Sequence, residues 1–164
     1  MHTVVVGIDP GISGGIAFLD TENVRNPEIF KMPISQQGTK KEVDPAGIYK
    51  LIEEYIPKGS SDMVFCIEEV HSMSGQGTRS MFSFGCSFGM VVAVAASYKC
   101  PFHRVAPRRW KGVMLDGYTS KVSKDVSRLA AGRLFPAIQE KLVHKNSDGL
   151  AEALLLAEYA RRLL

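Results

Sequence analysis

Val4-Val5-Val6-Gly7-Ile8-Asp9-Pro10-Gly11-Ile12-Ser13-Gly14-Gly15-Ile16-Ala17-Phe18-Leu19 decides the fold of this 164-residue chain. Val4 to Ile8 is uncharged and rich in β-branched residues, the pattern of a strand buried on both faces. It ends on Asp9. A Gly-rich turn follows, and the apolar run from Ile16 to Leu19 leaves as the antiparallel partner of the first. An acid at the end of a central strand is held by rigid backbone, which suits a metal ligand. An Asp before Pro-Gly also serves simply to open a turn. This stretch leaves both readings open, and the residues further along weigh between them.

Working outward, Pro27 to Met32 fits a third strand of a meander, and the polar stretch from Pro33 to Val43 reads as a loop. Asp44-Pro45 starts a helix, Asp as its cap and Pro at its first position. Ile48, Leu51, Ile52, Tyr55 and Ile56 give that helix one apolar face, and Pro57 with Gly59 ends it. Met63 to Ile67 is a further buried strand ending on Glu68-Glu69. Successive residues of a strand point to opposite faces, so one of these acids can share a side with Asp9 and the other cannot. The stretch from His71 to Ser80 reads as a Gly/Ser-rich loop. Met81 to Tyr98 is eighteen residues without a charge, the lower edge of a membrane-spanning length. Gly85, Gly89 and three serines dilute it, so it is read as a helix buried on two sides, against its own sheet and a second subunit, with no membrane.

Pro101 to Val105 fits another strand. Ala106 to Lys111 then groups Arg108, Arg109 and Lys111 around Trp110, the single tryptophan, as a phosphate-contacting and stacking surface or as a surface helix with Trp110 in the core. Ser120 to Leu134 reads as a helix with Val122, Val126, Leu129, Ala130 and Arg133 along one face, stopped by Pro136. Ser147 to Leu164 is a strong helix whose apolar stripe is Leu150, Ala153, Leu154, Ala157, Ala160 and Leu164. Asp148 and Glu152 stand one turn apart on another face, with Cβ atoms about 5–6 Å from each other. The helix dipole accounts for an acid at Asp148 but less well for Glu152, which lies deeper among Ala and Leu.

Length and an apolar share of 45% fit one domain spanning 1–164 with a full core. The net charge is only +3, yet from Lys99 to Lys145 eleven Lys/Arg face three acids, while the remainder carries nine against fourteen. That asymmetry points to a polyanion, nucleic acid first, on a side built from the second half. Cys66, Cys86 and Cys100 form no even framework and no CxxC pair, and read as buried free thiols in a reducing compartment. The chain begins with a buried-strand pattern and shows no signal or transit segment.

Asp9, Glu68 or Glu69, Asp148 and Glu152 come from three distant segments. Four carboxylates converging on one place repel unless cations lie between them. Hard oxygen donors suit Mg²⁺ or Mn²⁺, and two such ions about 4 Å apart activate water and stabilise a leaving oxygen in phosphodiester hydrolysis. No Ser or Cys nucleophile with a placed His stands beside these acids, and no zinc spacing appears. Metal-assisted hydrolysis is the chemistry the residues support.

Gly7-Ile8-Asp9-Pro10-Gly11 with Ser13-Gly14-Gly15, Ile67-Glu68, Lys124-Asp125-x-Ser127-Arg128 with Leu134-Phe135-Pro136, and Asp148-Gly149-x-Ala151-Glu152-Ala153-Leu154 resemble, in order, the RuvC family of Holliday-junction resolvases. The likeness is to its phage and plant chloroplast branches and covers nearly the whole chain. It implies an α/β, RNase H-like fold: a five-stranded mixed sheet, the first three strands antiparallel, flanked by helices. It implies a homodimer that cuts opposed strands of a four-way DNA junction with Mg²⁺, leaving 5′-phosphate and 3′-hydroxyl ends, with no small-molecule cofactor. Asp9 would bridge two metals, and Glu68, which follows Ile67 as the family's glutamate follows its Ile, would hold one of them. Asp148 and Glu152 would complete the set. Their spacing of four departs from the three of the bacterial form, and His144 is the alternative to Asp148. Lys124 matches the catalytic lysine, with Lys121 its rival, and Lys111 matches a second basic position. Arg79, Arg108, Arg109, Lys111, Lys121, Lys124 and Arg128 would contact DNA, and the loop from His71 to Phe82 would read bases. The compartment would be bacterial or phage cytoplasm, or an organelle. The competing functions are an RNase H-like nuclease acting on RNA or other branched DNA, a non-catalytic junction-binding protein, and an ATPase or sugar kinase. The last needs two such domains.

Overall fold

The computed structural model describes residues 2–56, 62–69, 75, 77–118 and 125–164. Strands β1 (Thr3–Asp9), β2 (Gly15–Asp20) and β3 (Glu28–Lys31) form the expected antiparallel meander. β6 (Asp62–Glu68) pairs parallel to β1 and β7 (Phe102–Val105) parallel to β6, so the five-stranded sheet runs β3-β2-β1-β6-β7. This is the mixed α/β sheet, with its first three strands antiparallel, that the resemblance implies.

Both faces of the sheet are covered, which is why its central strands read as continuous apolar runs. Val4, Val6 and Ile8 join Ile16, Phe18, Phe65 and Ile67 on the face carrying α1 (Pro45–Tyr55) and α2 (Thr78–Ser97). Val5, Ala17, Leu19 and Cys66 lie on the other, under α3 (Pro107–Met114), α4 (Val126–Leu134), a 3-10 helix at Pro136–Leu142 and α5 (Asp148–Arg161). α5 is the central support. Every residue from Gly149 to Ala160 is buried except half-buried Glu152. Leu154, Leu155 and Leu156 are each fully enclosed, and each such side chain contributes about 1.5–3 kcal/mol. Gly7 makes this contact possible. A Cβ there would stand 2.0 Å from the Ala153 carbonyl oxygen and 2.5 Å from the Ala157 nitrogen, so β1 and α5 meet backbone to backbone.

The expected cap of α1 forms, with Ala46 N–H donating to the Asp44 carboxylate at 3.1 Å. Five local readings need correction. The stretch taken as a loop before α1 is a hairpin, β4 (Ile34–Gln37) with β5 (Lys40–Val43), turning at Gly38 with φ +62°. Two strands outside the main sheet bury little, so no apolar alternation marks them. α2 is covered on one side only, where Ser87, Val91 and Ala95 are buried. Among the described residues it is the one helix long and apolar enough to cross a membrane, yet Val91 and Ala95 pack into the sheet's core. On α4 the buried face is Ser127, Ala130 and Ala131, while Leu129 is 47% exposed and Arg133 exposed; Val122 lies outside the described residues. α5 is buried nearly all round rather than along a stripe, and Leu164 is exposed. All three cysteines are free, but only Cys66 is buried, with Cys86 exposed and Cys100 half-buried.

Candidate metal centre

The sheet sets two carboxylates side by side. Ile8 pairs with Ile67 in the parallel register, so Asp9 ends β1 next to Glu68 at the end of β6. The third comes from α5, whose start presses on the turn after Asp9. A Cβ on Gly149 would stand 2.4 Å from the Ser13 carbonyl oxygen, and one on Gly15 would stand 2.8 Å from that of Gly149. With that first turn seated on the hairpin, Glu152 one turn later faces Asp9. Asp9, Glu68 and Glu152 each bring a carboxylate oxygen within 4.8 Å of the others. Asp9, Glu152 and Asp148, with Ser13, Asn146 and Gly149, line a cavity of about 350 Å³.

Each of the two glutamates is oriented by a neighbour. Trp110, fully buried, donates its indole N–H to Glu68 Oε1 at 3.0 Å, so it lies in the core and the stacking reading of Trp110 is set aside. Ser127 donates its hydroxyl to Glu152 Oε1 at 3.1 Å, and Lys111 Nζ lies 2.8 Å from the same oxygen. Sequence reasoning missed Trp110 and Ser127 as carboxylate donors. Ser127 lay inside a quoted motif, but nothing in its spacing named Glu152 as its partner.

The electrostatics follow from three acids sharing one half-buried ammonium. Burial, then Glu68 and Glu152, push the Asp9 carboxyl up to about 8, with Lys111 opposing. Burial and Glu152 likewise raise Glu68, against Lys111 and the Trp110 hydrogen bond. Burial would lower Lys111, but Glu152, Glu68 and Asp9 outweigh it and keep the amine protonated beyond its usual range. A carboxyl that holds its proton at neutral pH beside two others is short of positive charge. The donor set, three carboxylates with oxygen atoms in reach of one centre, fits a hard divalent cation such as Mg²⁺ or Mn²⁺.

Asp148 lines the cavity but stands apart from the three. Its Oδ1 is 3.0 Å from Arg128 Nε, an ion-pair contact without hydrogen-bond geometry, and Arg128 donates to Asp125. His144 is exposed on the turn before α5. Glu69, beyond β6, donates its backbone N–H to the Val105 carbonyl at 2.8 Å and is not in the group. Among the basic residues, Arg79, Arg108 and Arg109 are exposed, Lys111 is in the centre and Arg128 is committed to two aspartates. Lys121, Lys124 and most of the loop from His71 lie outside the described residues.

No family model and no curated protein matches the chain. Solved structures do. T. thermophilus RuvC in complex with a Holliday junction substrate aligns with TM-score 0.61 at 17% identity, over 99% of this chain and 96% of that one. A second Thermus thermophilus RuvC structure aligns with TM-score 0.52 at 19% identity, over 97% and 96%. The yeast mitochondrial Holliday junction resolvase Ydc2 aligns with TM-score 0.57 at 17% identity, over 96% of this chain and 77% of that one. The chain has the fold of the RuvC-type resolvases.

Proposed function

We propose that this chain is a metal-dependent endonuclease, one domain over 1–164, that resolves four-way DNA junctions as a homodimer by paired nicks leaving 5′-phosphate and 3′-hydroxyl ends. The observation that carries it is the meeting of Asp9, Glu68 and Glu152, from three separate segments, within 4.8 Å on this fold. Those three residues would hold Mg²⁺ or Mn²⁺, with Asp148 at the rim. Such ions supply an activated water and charge stabilisation at the leaving oxygen. The chain's own contributions are orientation and charge. Trp110 and Ser127 fix the glutamates, and Lys111 offers an ammonium to a scissile phosphate. Lys124 takes the family's catalytic-lysine role on the strength of its motif. Exposed Arg79, Arg108 and Arg109 contact the DNA backbone, which makes binding salt-sensitive. Two solved structures of similar fold, a RuvC in complex with Holliday junction substrate and a mitochondrial Holliday junction resolvase, support the choice of substrate. Three free thiols suit a reducing compartment. The outward side of α2 supports the dimer: Phe82, Gly85, Cys86, Gly89, Ala93 and Ala96 are exposed at helical spacing, a narrow stripe of mostly small residues on which two helices can pack closely.

The test is a synthetic mobile junction with Mg²⁺. Paired symmetric nicks are expected, and Asp9→Asn or Glu68→Gln should bind the junction but not cut it. Cleavage surviving in Asp9→Asn, or structured RNA outcompeting the junction, overturns the reading.

A further inference from the structure

α5 presents two of its three acids, Asp148 and Glu152, on consecutive turns, and each already faces a cation: Lys111 stands 2.8 Å from Glu152, and Arg128 stands 3.0 Å from Asp148. The two cations are held differently. Lys111 is 37% exposed on a flexible stem and shares its glutamate oxygen with Ser127. The Arg128 side chain is only 10% exposed; it donates to Asp125 and, at 3.4 Å, to the Val143 carbonyl, and it pairs with Asp148 by charge alone, without hydrogen-bond geometry. A guanidinium does not give up its proton in a protein. The positive charge beside Asp148 is therefore permanent.

Resting on the nuclease reading above, we infer that Arg128 is a positioning residue that holds Asp148 away from the carboxylate group, so that the DNA-free protein takes one divalent ion on Asp9, Glu68 and Glu152 and a second only when Asp148 is released. Asp148 has room to move, since its side chain is 41% exposed and lines the same cavity as Asp9 and Glu152. A cation bound through Asp148 in the DNA-free protein would compete with Arg128 for one carboxylate and be repelled by it. The anion that offsets both is a backbone phosphate, so the second ion and the substrate arrive together. A nuclease built this way carries its full metal complement only when DNA is in place.

The experiment is Mn²⁺ titration of the full chain without DNA, free Mn²⁺ being read by electron paramagnetic resonance. The wild type should bind one ion tightly and a second weakly. Arg128→Gln removes a positive charge that repels the incoming cation, and should tighten the second ion by about tenfold and leave the first unchanged. Should that variant fail to fold, Asp148→Asn, a neutral isostere on a partly exposed side chain, decides: it should abolish the weak ion and leave the tight one unmoved. Two ions of equal affinity in the wild type, no tightening in folded Arg128→Gln, or an Asp148→Asn that weakens the first ion as much as the second overturns the inference and leaves the nuclease reading standing. No Mn²⁺ bound by folded wild type overturns both.

Discussion

Trp110 shows how much of this centre lies behind the acids. Its indole N–H fills one lone pair of Glu68, the one hydrogen bond to Glu68 Oε1 among the described residues. Partners behind a metal ligand set its orientation and basicity, and losing one typically lowers metal affinity about 10–100-fold. Trp110→Phe keeps the ring in the core and deletes the donor. Mn²⁺ affinity is expected to fall in that range, while the folded state loses only about 1–2 kcal/mol, read by thermal melting. A variant that melts as expected but binds Mn²⁺ like the wild type defeats the argument. The residue scale is also where the sequence was most and least legible. Asp9 and Glu68 were visible because each ends a β-branched run, and a strand end fixes a side chain within the chain's own order. Trp110, Ser127 and the Arg128–Asp148 pair were not, because each joins segments whose meeting depends on how α3 and α4 dock on α5.

At the scale of elements, the contact of β1 with α5 is the joint on which the centre turns. Two glycines mark it with different consequences. Gly7 lies mid-strand against the α5 backbone, and neither neighbour can retreat without breaking its own hydrogen bonds. Gly7→Ala is expected to destabilise the fold by about 3 kcal/mol or more, seen as a lowered melting temperature. Gly149 sits where α5 meets the turn, and the atom its Cβ would strike belongs to the Ser13 carbonyl of a short turn. Gly149→Ala should shift the first turn of α5 outward and carry Glu152 with it, so Mn²⁺ affinity should fall further than the melting temperature alone would suggest. Equal losses in the two variants, once stability is corrected for, would count against a special role for Gly149. The strands and helices of this joint were readable from hydrophobic runs, although α5 was taken for a one-sided helix because its Ala and Leu residues satisfy a stripe and a fully buried helix equally well. The β4–β5 hairpin was not readable, since Gln36, Lys40 and Lys41 face water and its pairing rests on Gly38 and backbone hydrogen bonds.

For the whole molecule, the acids that make a metal centre also set a pH profile. Asp9 titrates near 3.8 in an unfolded chain and about 8 here, so between those values the folded state binds the extra proton. Stability of the metal-free protein is therefore highest near the lower end of that window and falls as pH rises to about 8, on the order of 1 kcal/mol per pH unit. Glu158 acts in the opposite sense. Burial would raise it, but Arg161 and Arg162, 2.7 and 2.8 Å away, hold it below its usual range. Its contribution is present above the ordinary glutamate value and lost as pH drops through the lowered one. The metal-free protein should thus melt highest at mildly acidic pH. A divalent cation changes that order, because at pH 8 it meets an Asp9 ready to lose its proton and at pH 5 it must displace one. Added Mg²⁺ should raise the melting temperature more at pH 8 than at pH 5. Asp9→Asn removes both the proton and the ligand, so it should melt above the metal-free wild type at pH 8 and gain little from Mg²⁺ at either pH. Calorimetric melts of the two proteins at the two pH values, with Mg²⁺ or with a chelator, measure this directly. A wild type whose metal-free stability rises between pH 5 and 8, or an Asp9→Asn variant that still gains as much from Mg²⁺, would remove Asp9 from the centre of this account.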